Sequence, residues 1–142
     1  MKSVADILKQ KPAGTVSIAP HATVLEALEL LAERDVGAVL VMEGARLEGI
    51  LSERDYARKI ALQGRSSTTT PVSEIMTRNV VCVSPENSNE ECMALMTDRR
   101  LRHLPVVSGG RVLGIVSIGD LVKDIISEQQ DTIRQLESYI HG

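Results

Sequence analysis

A mixed α/β fold built from two copies of one small unit is predicted by three observations on the 142-residue chain. First, shifted by 65 positions, the sequence falls onto itself from Val16 to Tyr56 without a gap. Second, the matches include turn and cap residues. Pro20 lies over Pro85, Gly44 over Gly109, Gly49 over Gly114, Ser52 over Ser117 and Asp55 over Asp120. Apolar residues can coincide by chance, because helices and strands share patterns. Pro, Gly, Ser and Asp recurring at one fixed offset mark a true internal repeat. Third, each copy alternates apolar runs of strand length with capped, amphipathic stretches of helix length.

The elements follow in order as strand, helix, strand, strand, helix. Residues 16–18 form a short strand stopped by Ala19-Pro20. Thr23-Val24-Leu25-Glu26 has the form of a capping box, and its helix sets Val24, Leu25, Leu28, Leu31 and Ala32 on one side. Residues 39–42 are a buried strand, 43–46 turn, and 47–51 return. A helix then runs from Ser52 to about Leu62, and Gly64 to Thr70 is a polar linker. The second copy repeats the strand at 81–83, the capping box at Ser88-Asn89-Glu90-Glu91 and the hairpin of 104–107 and 112–116. Its last helix runs from Ser117 to about Tyr139. Two units of roughly 60 residues are each marginal alone and are expected to pack on one another.

Composition narrows the function. Apolar residues make up 43% and charged residues 25%, which suits a globular chain. The net charge of −3 argues against a general nucleic-acid binder. With no Trp, no Phe and two Tyr, the chain lacks stacking platforms for single strands. Cys82 and Cys92 form no C-x-x-C and read as free thiols, Cys92 in the core and Cys82 partly exposed. His21, His103 and His141 are scattered, and neither cysteine has zinc-ligand spacing, so no metal is expected. There is no apolar run of membrane length and no secretory pattern at the N-terminus, so the expected location is cytoplasmic, away from any membrane.

The chemistry-bearing motif is Gly-h-h-Ser-x-x-Asp (h, apolar), present as residues 49–55 and again as 114–120. Each copy joins a strand end to a helix start. Helix N-termini offer unpaired N–H groups and partial positive charge to a phosphate. Ser52 and Ser117 can donate a hydroxyl to it. Asp55 and Asp120, one turn in, offer two acceptors to the paired hydroxyls of a ribose. Gly49 and Gly114 leave room at the strand ends. The same Ser-x-x-Asp is also an ordinary capping box, and both readings stand from sequence. Ser52, Asp55 and His103 could imitate a hydrolytic triad, but Ser52 is not in a G-x-S-x-G elbow and no second acid orients His103.

Together these segments resemble a tandem pair of CBS (cystathionine β-synthase) domains. The likeness is carried by Val72-Ser73-Glu74-Ile75-Met76-Thr77, by Arg102-His103-Leu104-Pro105-Val106-Val107, by both Gly-h-h-Ser-x-x-Asp segments, and by Val4-Ala5-Asp6-Ile7-Leu8 as a first-copy equivalent of the Val72 segment. The resemblance implies two pseudo-twofold-related repeats, each β-α-β-β-α, with a small, mostly antiparallel sheet flanked by helices. The organisation expected is repeat 1 over 1–64, a linker over 65–71, repeat 2 over 72–126 and a helical extension over 127–142.

It also implies adenosine-containing ligands (AMP, ADP, ATP or NAD(H)) in clefts between the repeats, with no enzyme activity and with the cell's energy or cofactor state relayed to a partner protein. Carried over by position, the first cleft joins Ser52, Arg54, Asp55 and Arg58 to Asn79, Val80, Val81, Arg102 and His103. The second joins Ser117, Gly119 and Asp120 to Thr15, Val16, Ile18, Val36, Gly37 and Ala38. The clefts are then unequal, with cations in the first and none at the corresponding places of the second. An alternative is an interaction module whose clefts stay empty. Finally, Val122, Ile126, Gln129, Ile133, Leu136 and Ile140 follow a 3.5-residue spacing, which suggests helix pairing across a homodimer, the alternative being a helix that lies on its own domain.

Overall fold

A computed structural model describes residues 2–12 and 15–141. Helix α1 (Val4–Lys9) is capped by Ser3, whose hydroxyl accepts the Asp6 N–H while Asp6 accepts the Ser3 N–H. Strand β1 (Ser17–Ile18) runs parallel to β2 (Ala38–Glu43), and β2 is antiparallel to β3 (Arg46–Ser52). Helix α2 (Val24–Arg34) links β1 to β2. After β3 comes α3 (Glu53–Tyr56), which continues as a π-helical turn over Ala57–Ala61. A 3₁₀ turn (Val72–Glu74) leads into the second copy, with α4 (Asn89–Arg99), β4 (His103–Ser108), β5 (Arg111–Ser117) and α5 (Ile118–His141).

The 65-residue repeat is obeyed in fine detail. Both hairpins are antiparallel and shift register at matching places, Val41/Met42 and Val106/Val107. Both α2 and α4 end on a left-handed residue, Asp35 (φ 52°) and Arg100 (φ 56°), which turn the chain into the next strand. The copies differ in the first strand. In the second copy it shrinks to one parallel bridge, Val83 with Val106, leaving β4 and β5 as a two-stranded sheet.

The cores do not follow the sequence copies. The first gathers Val24, Leu31, Val39, Val41, Leu51 and Ile60 with Val72, Ile75 and Met76 from the start of the second copy. The second gathers Val83, Cys92, Met96, Leu104, Val106, Val116 and Leu121 with Val4 and Ile7 of α1. Each copy therefore lends its opening segment to the other's core. Backbone bonds repeat the exchange, with Val72 N–H donating to Ala22 O at 2.7 Å and Val4 N–H to Asn87 O at 2.8 Å.

Three local expectations change. The buried face of α2 is Val24, Ala27 and Leu31, whereas Leu25 is 37% exposed and Ala32 is exposed. The reason is that residues 67–71 cover the N-terminus of α2 and set its rotation, with Val24 N–H on Thr70 O and Leu25 N–H on Ser67 O, both at 2.9 Å. For the same reason the polar stretch before the second copy is docked, and Thr70 is buried. The room left by Gly49 and Gly114 is filled by the protein itself. A Cβ on Gly49 would lie 2.8 Å from Met76 Sδ and from Thr77 O, and one on Gly114 2.9 Å from Leu8 Cδ2.

Candidate functional site

The two Ser-x-x-Asp segments are built alike and partnered differently. In the first, Ser52 N–H and Oγ donate to Asp55 Oδ2 at 2.9 and 3.0 Å, and Asp55 N–H returns a bond to Ser52 Oγ at 3.2 Å. The other carboxylate oxygen, Oδ1, takes the Thr77 hydroxyl at 3.1 Å and Lys59 Nζ at 3.1 Å. Lys59 also donates to Ile75 O at 2.9 Å. Asp55 is thus engaged on both oxygens and 8% exposed.

In the second, Ser117 N–H donates to Asp120 Oδ2 at 2.8 Å, and Asp120 N–H to Ser117 Oγ at 3.2 Å. Lys11 Nζ then meets the same Oδ2 at 2.8 Å and Ile115 O at 2.7 Å. Burial alone would raise the Asp120 carboxyl, but the bonds from Lys11 and Ser117 outweigh it and hold the group below its ordinary range. Lys11 thus sets a cation beside Asp120 from outside the positions at which the two clefts were compared. Lys11 comes from 109 residues away, so nothing local in the sequence announces it. Lys59, four residues after Asp55 on a helix, was the more legible partner.

Each carboxylate is thus approached by a segment from the other half of the chain. Thr77 on Asp55 stands two residues before Asn79, which is exposed, with Val80 and Val81 half-buried behind it. Lys11 on Asp120 stands shortly before Thr15 and Val16. Val16 O accepts Leu40 N–H at 3.1 Å, Ile18 pairs with Val41, and Val16, Ile18 and Val36 lie against the first core. Thr15 lines a groove with Ser17, Leu40 and Met42 that Arg111 and Val112 of β5 also line.

The start of each hairpin behaves differently from the carried-over grouping. Register sets Ala38 opposite Ser52 and His103 opposite Ser117, within single units. Glu53 N–H donates to Gly37 O at 3.1 Å, and Ile118 N–H to Arg102 O at 2.9 Å. The units meet where Gly37 faces the imidazole: a Cβ there would lie 3.2 Å from His103 Nε2 and 3.4 Å from Glu53 Oε1. Arg54 crosses too, donating from Nη1 to Arg100 O at 3.1 Å. Arg58 and Arg102 are exposed, and a Cβ on Gly119 would lie 3.6 Å from Ser117 Oγ. Burial, seconded by Lys11 and by Arg102, holds His103 below the ordinary imidazole value against the pull of Asp120. A recess lined by Cys82, Val83, Asn87, Glu91, Ala94, Leu95 and Asp98 contains none of these groups except the neighbours of Val81. Burial raises both thiols, that of Cys92 in the core and that of Cys82 at the surface.

Two stretches, residues 4–62 and 72–127, match the sequence model of the CBS domain. The chain belongs to the CBS domain family. The CBS domain-containing protein CBSX3, mitochondrial, of Arabidopsis thaliana is 42% identical over 125 residues, which is 84% of this chain and 61% of that relative's length. The chain thus spans less than two thirds of that CBS protein. A solved structure from Burkholderia ambifaria MC40-6, described as a candidate signal-transduction protein with CBS domains, is 50% identical with a TM-score of 0.87, covering 90% of this chain and 96% of that one. The CBS domain pair of protein MJ0100, solved with 5′-methylthioadenosine and S-adenosyl-L-methionine, has a TM-score of 0.78 at 25% identity, covering 90% and 98%. The structural neighbours are CBS-pair proteins, and among the described residues no helix is long and apolar enough to cross a membrane.

Proposed function

We propose that this CBS pair is a cytoplasmic, non-enzymatic regulatory module that binds an adenosine-containing ligand between its repeats and relays the cell's energy or cofactor state to a partner protein. The observation that carries the reading is the repeated Ser-x-x-Asp segment, each copy with its carboxylate met by a segment from the other half of the chain. An aspartate so placed can exchange its internal donors for the two hydroxyls of a ribose. The N-terminus of the 24-residue α5 adds N–H groups and dipole for a phosphate at Ser117. The exposed guanidinium groups of Arg58 and Arg102 supply bidentate donors for a longer phosphate chain such as that of ADP, ATP or NAD(H). The adenosine compounds held by the CBS pair of MJ0100 favour the same ligand class.

The saturated carboxylate of Asp55 favours a second reading for the first cleft, in which its box is a cap and the cleft stays empty. Mass spectrometry of small molecules released from the purified protein identifies the ligand. Calorimetry with AMP on Asp55→Ala and Asp120→Ala then separates the readings. Loss of charge-assisted bonds is expected to weaken one cleft in each variant by roughly 1.5–3 kcal/mol. Unchanged binding in Asp55→Ala with lowered stability assigns the first box to capping, and unchanged binding in both variants refutes the adenosine reading.

The CBS pair is further proposed to act as a homodimer through α5. Val122, Ile126, Ile133, Leu136 and Ile140 are 40–74% exposed on that helix, an apolar strip that one chain leaves in water.

A further inference from the structure

We propose that Lys11 is the specificity-determining residue of the second cleft, holding Asp120 while the cleft is empty and turning its ammonium onto the phosphate of a nucleotide whose ribose takes Asp120. The inference rests on the adenosine reading of that cleft and assigns it a preference for charged nucleotides over nucleosides.

The Lys11–Asp120 pair is half open on both sides. An ammonium has three donors, and two are used here, on Asp120 Oδ2 and Ile115 O. The Lys11 side chain is 30% exposed and that of Asp120 24%. The bonds from Lys11 Nζ and Ser117 N–H both fall on Oδ2, the Ser117 hydroxyl also favours the charged carboxylate, and among the described residues no hydrogen bond within 3.5 Å reaches Oδ1. Asp55 is the contrast. Its side chain is 11% exposed, Oδ1 holds both Thr77 and Lys59, and Lys59 belongs to the same helical segment as Asp55. A ribose can therefore approach Asp120 at its free oxygen before any internal bond is broken, and at Asp55 it cannot.

What happens to the ammonium decides the ligand. A diol that takes both oxygens of Asp120 strips Lys11 of its counter-charge in a half-buried place. A neutral nucleoside leaves that charge poorly paired, which is unfavourable. A phosphate at Ser117 and the α5 N-terminus restores it. Lysine suits the exchange because its ammonium is a point charge on a flexible stem, free to turn between two oxygen partners.

The test is calorimetry of the whole chain with AMP and with adenosine, on wild type, Lys11→Met and Lys11→Arg, alongside a carbon-13 NMR titration of the Asp120 carboxyl. Wild type is expected to prefer AMP at the second cleft. Lys11→Met is expected to shrink that preference by about tenfold or more, the usual worth of a bond to a charged group, and Lys11→Arg to keep most of it. The Asp120 midpoint is expected to rise in Lys11→Met even without ligand. An AMP-to-adenosine ratio unchanged in Lys11→Met, or an Asp120 midpoint that does not move, overturns the assignment while leaving the adenosine reading intact. Failure of wild type to bind either compound overturns both.

Discussion

At the scale of single residues, His103 stands at the junction of the two units and carries a pH dependence whose sign the structure fixes. Its folded value is lowered from 6.5, chiefly by burial. The unfolded chain therefore takes up the proton first as pH falls, and stability declines below about 6.5. His103→Gln is expected to flatten that part of a denaturation midpoint against pH profile; a profile as steep as wild type would assign the decline to other groups. The same protonation adds a cation beside Gly37 and Asp120, so anionic ligands are expected to gain from His103 only on the acid side. Arg102 is a different case. It is exposed, which limits what a phosphate contact there can contribute. Arg102→Ala is expected to weaken a pyrophosphate ligand by about 1 kcal/mol, with AMP at the second cleft unchanged and the difference shrinking in salt. Equal losses at both clefts in a two-site titration would remove Arg102 from the first.

At the scale of elements, the exchanged opening segments explain the two glycines. Gly49 faces the Thr77 carbonyl and Met76 across a backbone bridge in which Ile50 and Thr77 exchange N–H bonds at 3.0 and 2.9 Å. Backbone on both sides leaves little to yield. Gly114 faces the end of a leucine side chain, which can rotate away. Gly49→Ala is accordingly expected to destabilise by about 1–3 kcal/mol and Gly114→Ala by less than about 1 kcal/mol. Chemical denaturation of both variants measures the difference, and equal losses would mean that Leu8 is as constrained as the Thr77 carbonyl. Helix α5 is anchored by a buried polar contact, Asn89 Nδ2 donating to Asp124 Oδ2 at 2.8 Å and to Leu121 O at 3.0 Å, with Lys2 Nζ 3.3 Å from Asp124 Oδ1. Beyond residue 130 every described residue of the helix is exposed.

At the scale of the whole molecule, the exposed strip of α5 is the feature one chain leaves unresolved. Light scattering is expected to report about twice 15.4 kDa. The double variant Ile133→Glu, Leu136→Glu is expected to halve that mass while leaving the circular dichroism of the two units intact. A wild-type monomer at micromolar concentration, or a dimer that survives both glutamates, would place the contact elsewhere or nowhere. The swapped cores add a consequence for cooperativity: Val72, Ile75 and Met76 fill the first core and Val4 and Ile7 the second, so neither unit is complete without chain from the other.

Much of this was legible in the chain itself. The 65-residue repeat, both hairpins, the Ser-x-x-Asp caps and the free, buried Cys92 follow from local chemistry: turn residues, capping geometry and apolar period act over a few positions, and their signals survive in one dimension. Three things did not survive. The side of α2 that is buried depends on residues 67–71 lying across its end. The exchange of opening segments is hidden because residues 4–8 and 72–76 have the same apolar pattern, and only three-dimensional packing decides which core each enters. The Lys11 ammonium is hidden by distance along the chain: an ion pair spanning 109 residues leaves no spacing to read, and only the folded α1 brings that charge to Asp120.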